Sequence, residues 1–248
     1  MSGESQVELS PHGVPVVETI PLRGIARLTA QYMLKSHLEY AEMTGMWEVD
    51  FTALLAFRKR LLADPATSGV RISITHLMVK AIAQALRDHP LINATLVENE
   101  IKVLGEINIG LAVALESGHL IVPVIRNADH RSLLEVAQEA IRLTEKVRAG
   151  RIGLEDVQGG TFTFSNFGMV GGDIATPIIN PPQSGILAMG RIAPKPAVVD
   201  GEITIRQMAW LSMTCDHRII NGVQAALFGR TLEEMITEPS GLELGPLG

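Results

Sequence analysis

Cysteine, aromatic residues and positive charge are all scarce in this 248-residue chain, and each shortage removes a class of protein. A single cysteine, Cys215, excludes an intrachain disulfide framework, and no Cys/His cluster stands at zinc spacing. A reducing, cytoplasmic setting and no metal site are the expectation. Aromatic residues make up 4% of the chain, the net charge is -6, and no basic run carries interleaved aromatics, so nucleic acid is not an expected partner. No apolar run reaches membrane-spanning length, and Met1–Pro15 lacks the apolar centre of a signal peptide. Without a secretion signal, the glycosylation triplet Asn93-Ala94-Thr95 reads as chance. What is plentiful is core material. At 46% hydrophobic residues, the chain can fill one large domain or two small ones.

Residues 1–21 carry Pro11, Pro15 and Pro21 with little periodicity, which suggests an extended arm ordered by lying on something else. From 22 to 248 the elements follow closely. Ile25, Leu28, Tyr32 and Met33 mark a first helix; Asp50 can cap a second, with Phe51, Leu54, Leu55, Leu61 and Leu62 on one face. Leu77–Leu86 suggests a third, ending before Pro90. Ile107–Leu115 and His119–Ile125 read as strands joined at Glu116-Ser117-Gly118, and Ser132–Ala149 as an amphipathic helix closed by Gly150. Thr161–Ser165, Gly185–Met189 and a buried strand over Ile203–Met213 follow, and Val223–Ile236 is helical. Mixed order without regular βαβ alternation indicates an α+β fold.

Asp216-His217-Arg218-Ile219-Ile220-Asn221-Gly222 places an imidazole between the long strand and the last helix. Histidine titrates near neutrality, so His217 is suited to taking a proton from a thiol or hydroxyl and returning it. Its neighbours read as a mounting, with Asn221 as the cap of the helix. For an isolated histidine, a core packing role is the competing reading. Cys215 beside it reads as a small buried residue of the strand. His37, His76, His89, His119 and His130 show no recognisable partners and read as packing or surface. A second stretch, Gly159–Gly172, is rich in glycine and contains Ser165 at the end of a strand. Its order fits neither a dinucleotide fingerprint nor a phosphate loop, and a plain glycine-rich turn competes with a functional reading.

Together the two stretches resemble the C-terminal catalytic domain of the dihydrolipoyl acyltransferases, the core subunits of 2-oxoacid dehydrogenase complexes. The resemblance runs from about Glu18 to Pro239. It rests on Asp216–Gly222, on Gly160–Gly168, on Ile178–Pro182 and on Leu120–Arg126, in the family's order. It implies the chloramphenicol acetyltransferase fold, a mixed sheet flanked by helices, assembled as a homotrimer with sites between subunits. The proline-rich arm would then lie on a neighbouring subunit. His217 matches the family's catalytic histidine and Ser165, 52 positions earlier, its serine that hydrogen-bonds the tetrahedral intermediate. The implied reaction moves an acyl group between the thioester of dihydrolipoamide and coenzyme A.

Asp216, Asn221 and Gly222 are implied supports of the site. Asn221 departs from the family's commoner aspartate, losing a charge but keeping a capping amide. Arg23 and Arg27, flanking the first helix, are candidates for the phosphates of coenzyme A, with solvated surface arginines as the alternative. The lipoyl domain and the peripheral-subunit-binding domain of the family have no counterpart in the sequence, and Lys80-Ala81 sits inside a helix where lipoylation is not expected. The acyl donor is therefore expected on a lipoyl-bearing partner, as free dihydrolipoamide, or on a part outside this sequence. Other 2-oxoacid dehydrogenase components are the expected partners. The tail Leu242–Gly248 lacks the apolar ending of larger cores, so a trimer is expected and higher assembly stays open. Acetyl is the default acyl group, with branched-chain acyl and succinyl as others. Two further readings remain: a coenzyme A-dependent acyltransferase with a small hydroxyl or amine acceptor, and a non-catalytic scaffold subunit.

Overall fold

Segments from both halves of the chain assemble into a mixed sheet flanked by helices. The computed structural model describes residues 8–67, 69–115 and 118–242. In chain order the elements are α1 (Gly24–Glu39), β1 (Glu42–Asp50), α2 (Thr52–Ala63), α3 (Ile74–Asp88), β2 (Ala94–Val97), β3 (Glu100–Val103), β4 (Ile109–Leu111), β5 (Val113–Ala114), β6 (Leu120–Ile121), β7 (Val124–Ile125), α4 (Leu133–Arg148), α5 (Leu154–Val157), β8 (Phe162–Asn166), β9 (Gly185–Met189), β10 (Ala193–Val199), β11 (Glu202–Asp216) and α6 (Gly222–Thr237). The main sheet runs β1-β11-β9-β8-β4-β7, with β10 paired to β11. β8 is parallel to both β4 and β9, and the remaining pairs are antiparallel.

Alternation along β8 decides which side chains meet the helices. Phe162 and Phe164 are fully buried in the helix-side core, and the Phe162 ring packs on Phe228 of α6 at 6.0 Å between centroids. Thr163 and Ser165 consequently face the other way. α3 lies at the centre of the helical layer and buries residues on all sides, including Lys80, whose Nζ donates to the carbonyls of Asp129 (2.9 Å) and Arg131 (2.5 Å). A fully buried amine in a helix is no lipoylation target. The glycosylation triplet is likewise closed, because the Asn93 side chain is buried and donates to Leu104 and Glu106 carbonyls.

Several expectations are corrected. The strand expected over Ile107–Leu115 divides into β4 and β5, and its partner into β6 and β7. Pro123 has no N–H for the ladder, and Ala112 donates instead to Phe164 of β8 (2.9 Å). Glu116 and Ser117 of the expected turn lie outside the described residues. β11 is longer than expected, and its first half is not buried: Ile203 and Ile205 are 79% and 77% exposed, because there β11 pairs only with β10 and extends beyond the helical layer. β1 and β10, unrecognised in the sequence, complete the β11 neighbourhood. Between Leu9 and Pro15 the arm folds on itself through a bridge before running out exposed through Val17, Ile20 and Leu22.

Histidines read as partnerless prove engaged. His37 Nδ1 stands 2.8 Å from Glu42, His89 Nε2 2.8 Å from Thr231 Oγ1, and His130 Nε2 3.4 Å from Asp129. His76 shares a capping box with Ser73: its Nδ1 accepts from Ser73 N (3.2 Å) and its N–H donates to Ser73 Oγ (3.3 Å). Burial, aided by Arg58, pushes the His76 pKa down to about 4. The folded protein thus holds this imidazole neutral while the unfolded chain takes up a proton near pH 6.5, so stability is lost as pH falls from about 6.5 towards 4. The loss through this group is on the order of 2–3 kcal/mol at pH 4.5. His76→Gln keeps a capping partner without titrating. Its urea midpoint should therefore drop less between pH 7 and pH 4.5 than that of the wild type, and equal drops would remove His76 from the acid response.

Candidate active site

Ser165, next to last in β8, lies on the face turned away from α6, on which Phe162 packs. Among the described residues no hydrogen bond engages its hydroxyl, whereas the neighbouring Thr163 hydroxyl donates to Gln183 Oε1 (2.5 Å). Over this face lies a chamber of about 580 Å³, floored by Thr163, Ser165, Ile186 and Ala188 and walled by Leu28, Tyr32 and Met33 of α1 together with Leu120 and Val122. Gly110 of β4 makes the wall possible: a Cβ there would stand 2.7 Å from Val122 Cγ1. The turn after Ser165 is pinned on the core side, where Asn166 Nδ2 donates to Thr75 Oγ1 at the start of α3 (3.0 Å).

The glycine run serves two different needs. Gly159 and Gly171 take positive φ (78° and 92°), as expected of turn glycines. Gly168 is required by proximity, since a Cβ would come within 2.3 Å of the Gly190 carbonyl, and a Cβ on Gly190 within 1.9 Å of the Asp173 carbonyl. Backbone lies directly on backbone here, and Arg191 N donates to Gly172 O (2.8 Å) to hold it.

The second half of the site begins where β11 ends. Asp216 is fully buried and grips Arg218 through a fork: Arg218 Nε donates to Oδ1 (2.9 Å) and Nη2 to Oδ2 (2.6 Å). That hydrogen bonding raises the Arg218 pKa, and the guanidinium rests on the Tyr40 ring at 5.3 Å, where burial, followed by the Asp216 charge, pushes the phenol up. Ile219 and Ile220 N–H groups both donate to the Asp216 carbonyl (2.9 Å each), closing the turn. His217 stands at its apex, exposed, with its own N–H on Ala41 O (2.8 Å). Asn221 caps α6 as expected, its Oδ1 accepting from Gln224 N (3.0 Å). Gly222 follows it without a positive φ, and a Cβ there would meet nothing within 4 Å in this chain. Cys215 is buried and its thiol pushed up to about 11 by burial, which removes it as a nucleophile.

The chain does not bring Ser165 and His217 together. Ala188 lies opposite both Ser165 on β8 and Ser212 on β11, so His217 is two strands across and five residues further along. At ordinary sheet spacings that is on the order of 20 Å. Arg23 and Arg27 at the start of α1 are exposed, and neither lines the chamber. Sequence reasoning missed Thr163, Gln183 and the Tyr40–Glu42 segment. The two-residue period of β8 could have placed Thr163 beside Ser165, but nothing local announces contacts from Tyr40 or Gln183. No group of His, Cys, Asp or Glu able to hold a metal occurs among the described residues, and no helix there is long and apolar enough to cross a membrane.

The mixed sheet and its flanking helices place the chain in the chloramphenicol acetyltransferase-like fold class. A chloramphenicol acetyltransferase shares the fold at a TM-score of 0.56 and 14% identity, over 87% of this chain and 99% of that one. Within that class the chain belongs to the family of 2-oxoacid dehydrogenases acyltransferases (catalytic domain), whose model matches residues 15–244. It is 40% identical to the dihydrolipoyllysine-residue acetyltransferase component of the pyruvate dehydrogenase complex of Mycoplasma capricolum, over 90% of this chain and 51% of that protein. It is 34% identical to the dihydrolipoyllysine-residue succinyltransferase component of the 2-oxoglutarate dehydrogenase complex of Azotobacter vinelandii, over 94% of this chain and 58% of that protein. The chain thus spans about half the length of the curated relatives it matches. A crystal structure of Azotobacter vinelandii dihydrolipoamide acetyltransferase superposes with a TM-score of 0.86 at 34% identity, covering 92% of this chain and 94% of that one.

Proposed function

We propose that this domain exchanges an acyl group between the thioester of dihydrolipoamide and coenzyme A, in the core of a 2-oxoacid dehydrogenase complex. The observation that carries the reading is the unengaged Ser165 hydroxyl on the floor of an apolar chamber, in a chain of this family that also presents His217 on a rigid turn. The spacing supports the roles. The Azotobacter vinelandii acetyltransferase has been studied for a serine, a histidine and an asparagine in its catalytic mechanism, and those three stand at the same intervals as Ser165, His217 and Asn221.

In the forward direction His217 takes the proton of the coenzyme A thiol, whose ordinary pKa near 8.5 leaves little thiolate at neutral pH. The sulfur attacks the thioester carbonyl carbon, and the oxygen gains negative charge. Ser165 donates its hydroxyl hydrogen bond to that oxygen. Collapse expels the dihydrolipoamide sulfur, which receives the proton back from His217. Since the two side chains lie far apart within one chain, each site pairs Ser165 of one copy with His217 of another. Exposed apolar residues of the arm and of α1, among them Val17, Leu34 and Leu38, support such an association, with a homotrimer as the smallest assembly. The clamp of Asp216 on Arg218 and the Asn221 cap position the histidine turn, and Arg23 and Arg27 are the proposed contacts for the phosphates of coenzyme A. The acyl-bearing dihydrolipoamide comes from a lipoyl-bearing partner.

The test is acyl exchange between acetyl-coenzyme A and dihydrolipoamide, followed by chromatographic separation of free coenzyme A and acyl-dihydrolipoamide. Ser165→Ala should lower kcat by about 10²- to 10³-fold with little change in KM, as expected of a group acting on the developing oxyanion. Transfer to a small alcohol or amine with no exchange onto dihydrolipoamide would replace the proposal with the other acceptor class.

A further inference from the structure

We infer that the acyl group handled here is neutral and aliphatic, with room for branched chains, and that dicarboxylic acyl groups such as succinyl are poor substrates; this rests on the acyl-exchange reading above. Family relationship leaves the choice open, because relatives named for acetyl and for succinyl transfer match at 40% and 34% identity. This chain's share of the chamber points to one class. Leu28, Leu120, Val122, Phe167 and Ile178 supply its walls and Ile186 part of its floor, and none of the lining residues this chain contributes carries a charge. Its hydroxyl and amide groups come from Thr29, Tyr32, Thr163, Ser165 and Asn180. Of these the Thr163 hydroxyl is already given to Gln183, so this side chain offers the chamber its methyl group.

A succinyl group would carry a carboxylate into that wall. Burying a carboxylate with no cation to pair it is strongly unfavourable, and neutral hydroxyl and amide groups do not neutralise its charge, whereas a methyl or isopropyl end gains by leaving water. Size is set at the floor. Ser165 stands between two alanines: Ala188, in parallel register with it on β9, and Ala112, which donates its N–H to the adjacent Phe164 carbonyl from the β4 side. Both line the chamber. A carbonyl bound with its oxygen at Ser165 therefore has the smallest chiral side chains on either flank, which leaves space for an acyl chain longer than acetyl. Ala112 and Ala188 are in this sense the residues that determine acyl size.

The experiment compares kcat/KM of the full chain with acetyl-, isovaleryl- and succinyl-coenzyme A, using dihydrolipoamide as acceptor. The expected order puts succinyl about 10²-fold or more below both neutral substrates. Ala188→Val, which adds bulk beside Ser165, should then lower the isovaleryl-to-acetyl ratio by about 10-fold or more. The ratio is read within one preparation, so partial misfolding lowers both rates alike and leaves it unchanged; Ala112→Val provides the same reading from the other flank. Succinyl used as well as or better than the neutral acyl groups overturns the inference while leaving the exchange reaction in place. Ratios unmoved by both substitutions overturn the assignment of the two alanines. Absence of exchange with all three substrates overturns the underlying reaction and the inference with it.

Discussion

Replacement of His217 by alanine is expected to lower kcat/KM for acyl exchange by about 10³-fold, within the span that general bases contribute. The expectation rests on how the ring is presented. Asp216 is buried and committed to Arg218, the turn carbonyl is taken by two N–H groups, and the His217 N–H is tied to Ala41. Everything around the imidazole is spent on holding it in place while the ring itself projects outward. An exposed side chain removed from such a turn changes stability little, so the melting temperature should stay close to that of the wild type. An alanine variant retaining a tenth or more of the activity would sink the assignment.

The second large effect concerns two dead variants that should revive each other. Ser165→Ala and His217→Ala, each nearly inactive alone, are to be co-expressed so that their chains assemble together. With Ser165 and His217 on the order of 20 Å apart in one chain, a working pair needs two copies. In a cyclic assembly with random mixing, about one site in four draws serine from one variant and histidine from the other, both intact. Mixed assemblies should accordingly show about a quarter of wild-type activity per site, far above either parent. If both groups of a site came from the same chain, every chain would stay crippled and mixing would recover nothing. That outcome would also require the sheet register that separates the residues to be wrong.

Both proposed catalytic residues stand out in the sequence, because each lies in a motif with turn residues around it. Their separation does not, since an interval of 52 positions is silent about which strands intervene and in what register. β1 illustrates the same limit. Its mixture of Glu42, Thr44, Gly45 and Glu48 with Met43, Trp47 and Val49 has no clean alternation, and the partner that makes it a strand is some 160 positions away in β11. Ile203 and Ile205 misled in the opposite direction: apolar composition suggested burial, yet that end of β11 projects past the helices. The histidines gave no local sign either, as His89 finds Thr231 from 142 positions away. Helices with reciprocal caps were the most readable elements. Ser132 with Glu135, and Asn221 with Gln224, carry both halves of the device within four residues.

Cys215 has a practical side. A lone thiol, buried and pushed up to about 11, should resist alkylating reagents at neutral pH for as long as the fold holds. The surface is in effect blank to maleimide chemistry, so a cysteine introduced anywhere along the arm, the β10–β11 hairpin or the rim of the chamber can be labelled by itself. Spin labels or fluorophores attached in this way would report distances between copies directly, and delayed modification of Cys215 would serve as a built-in clock for unfolding.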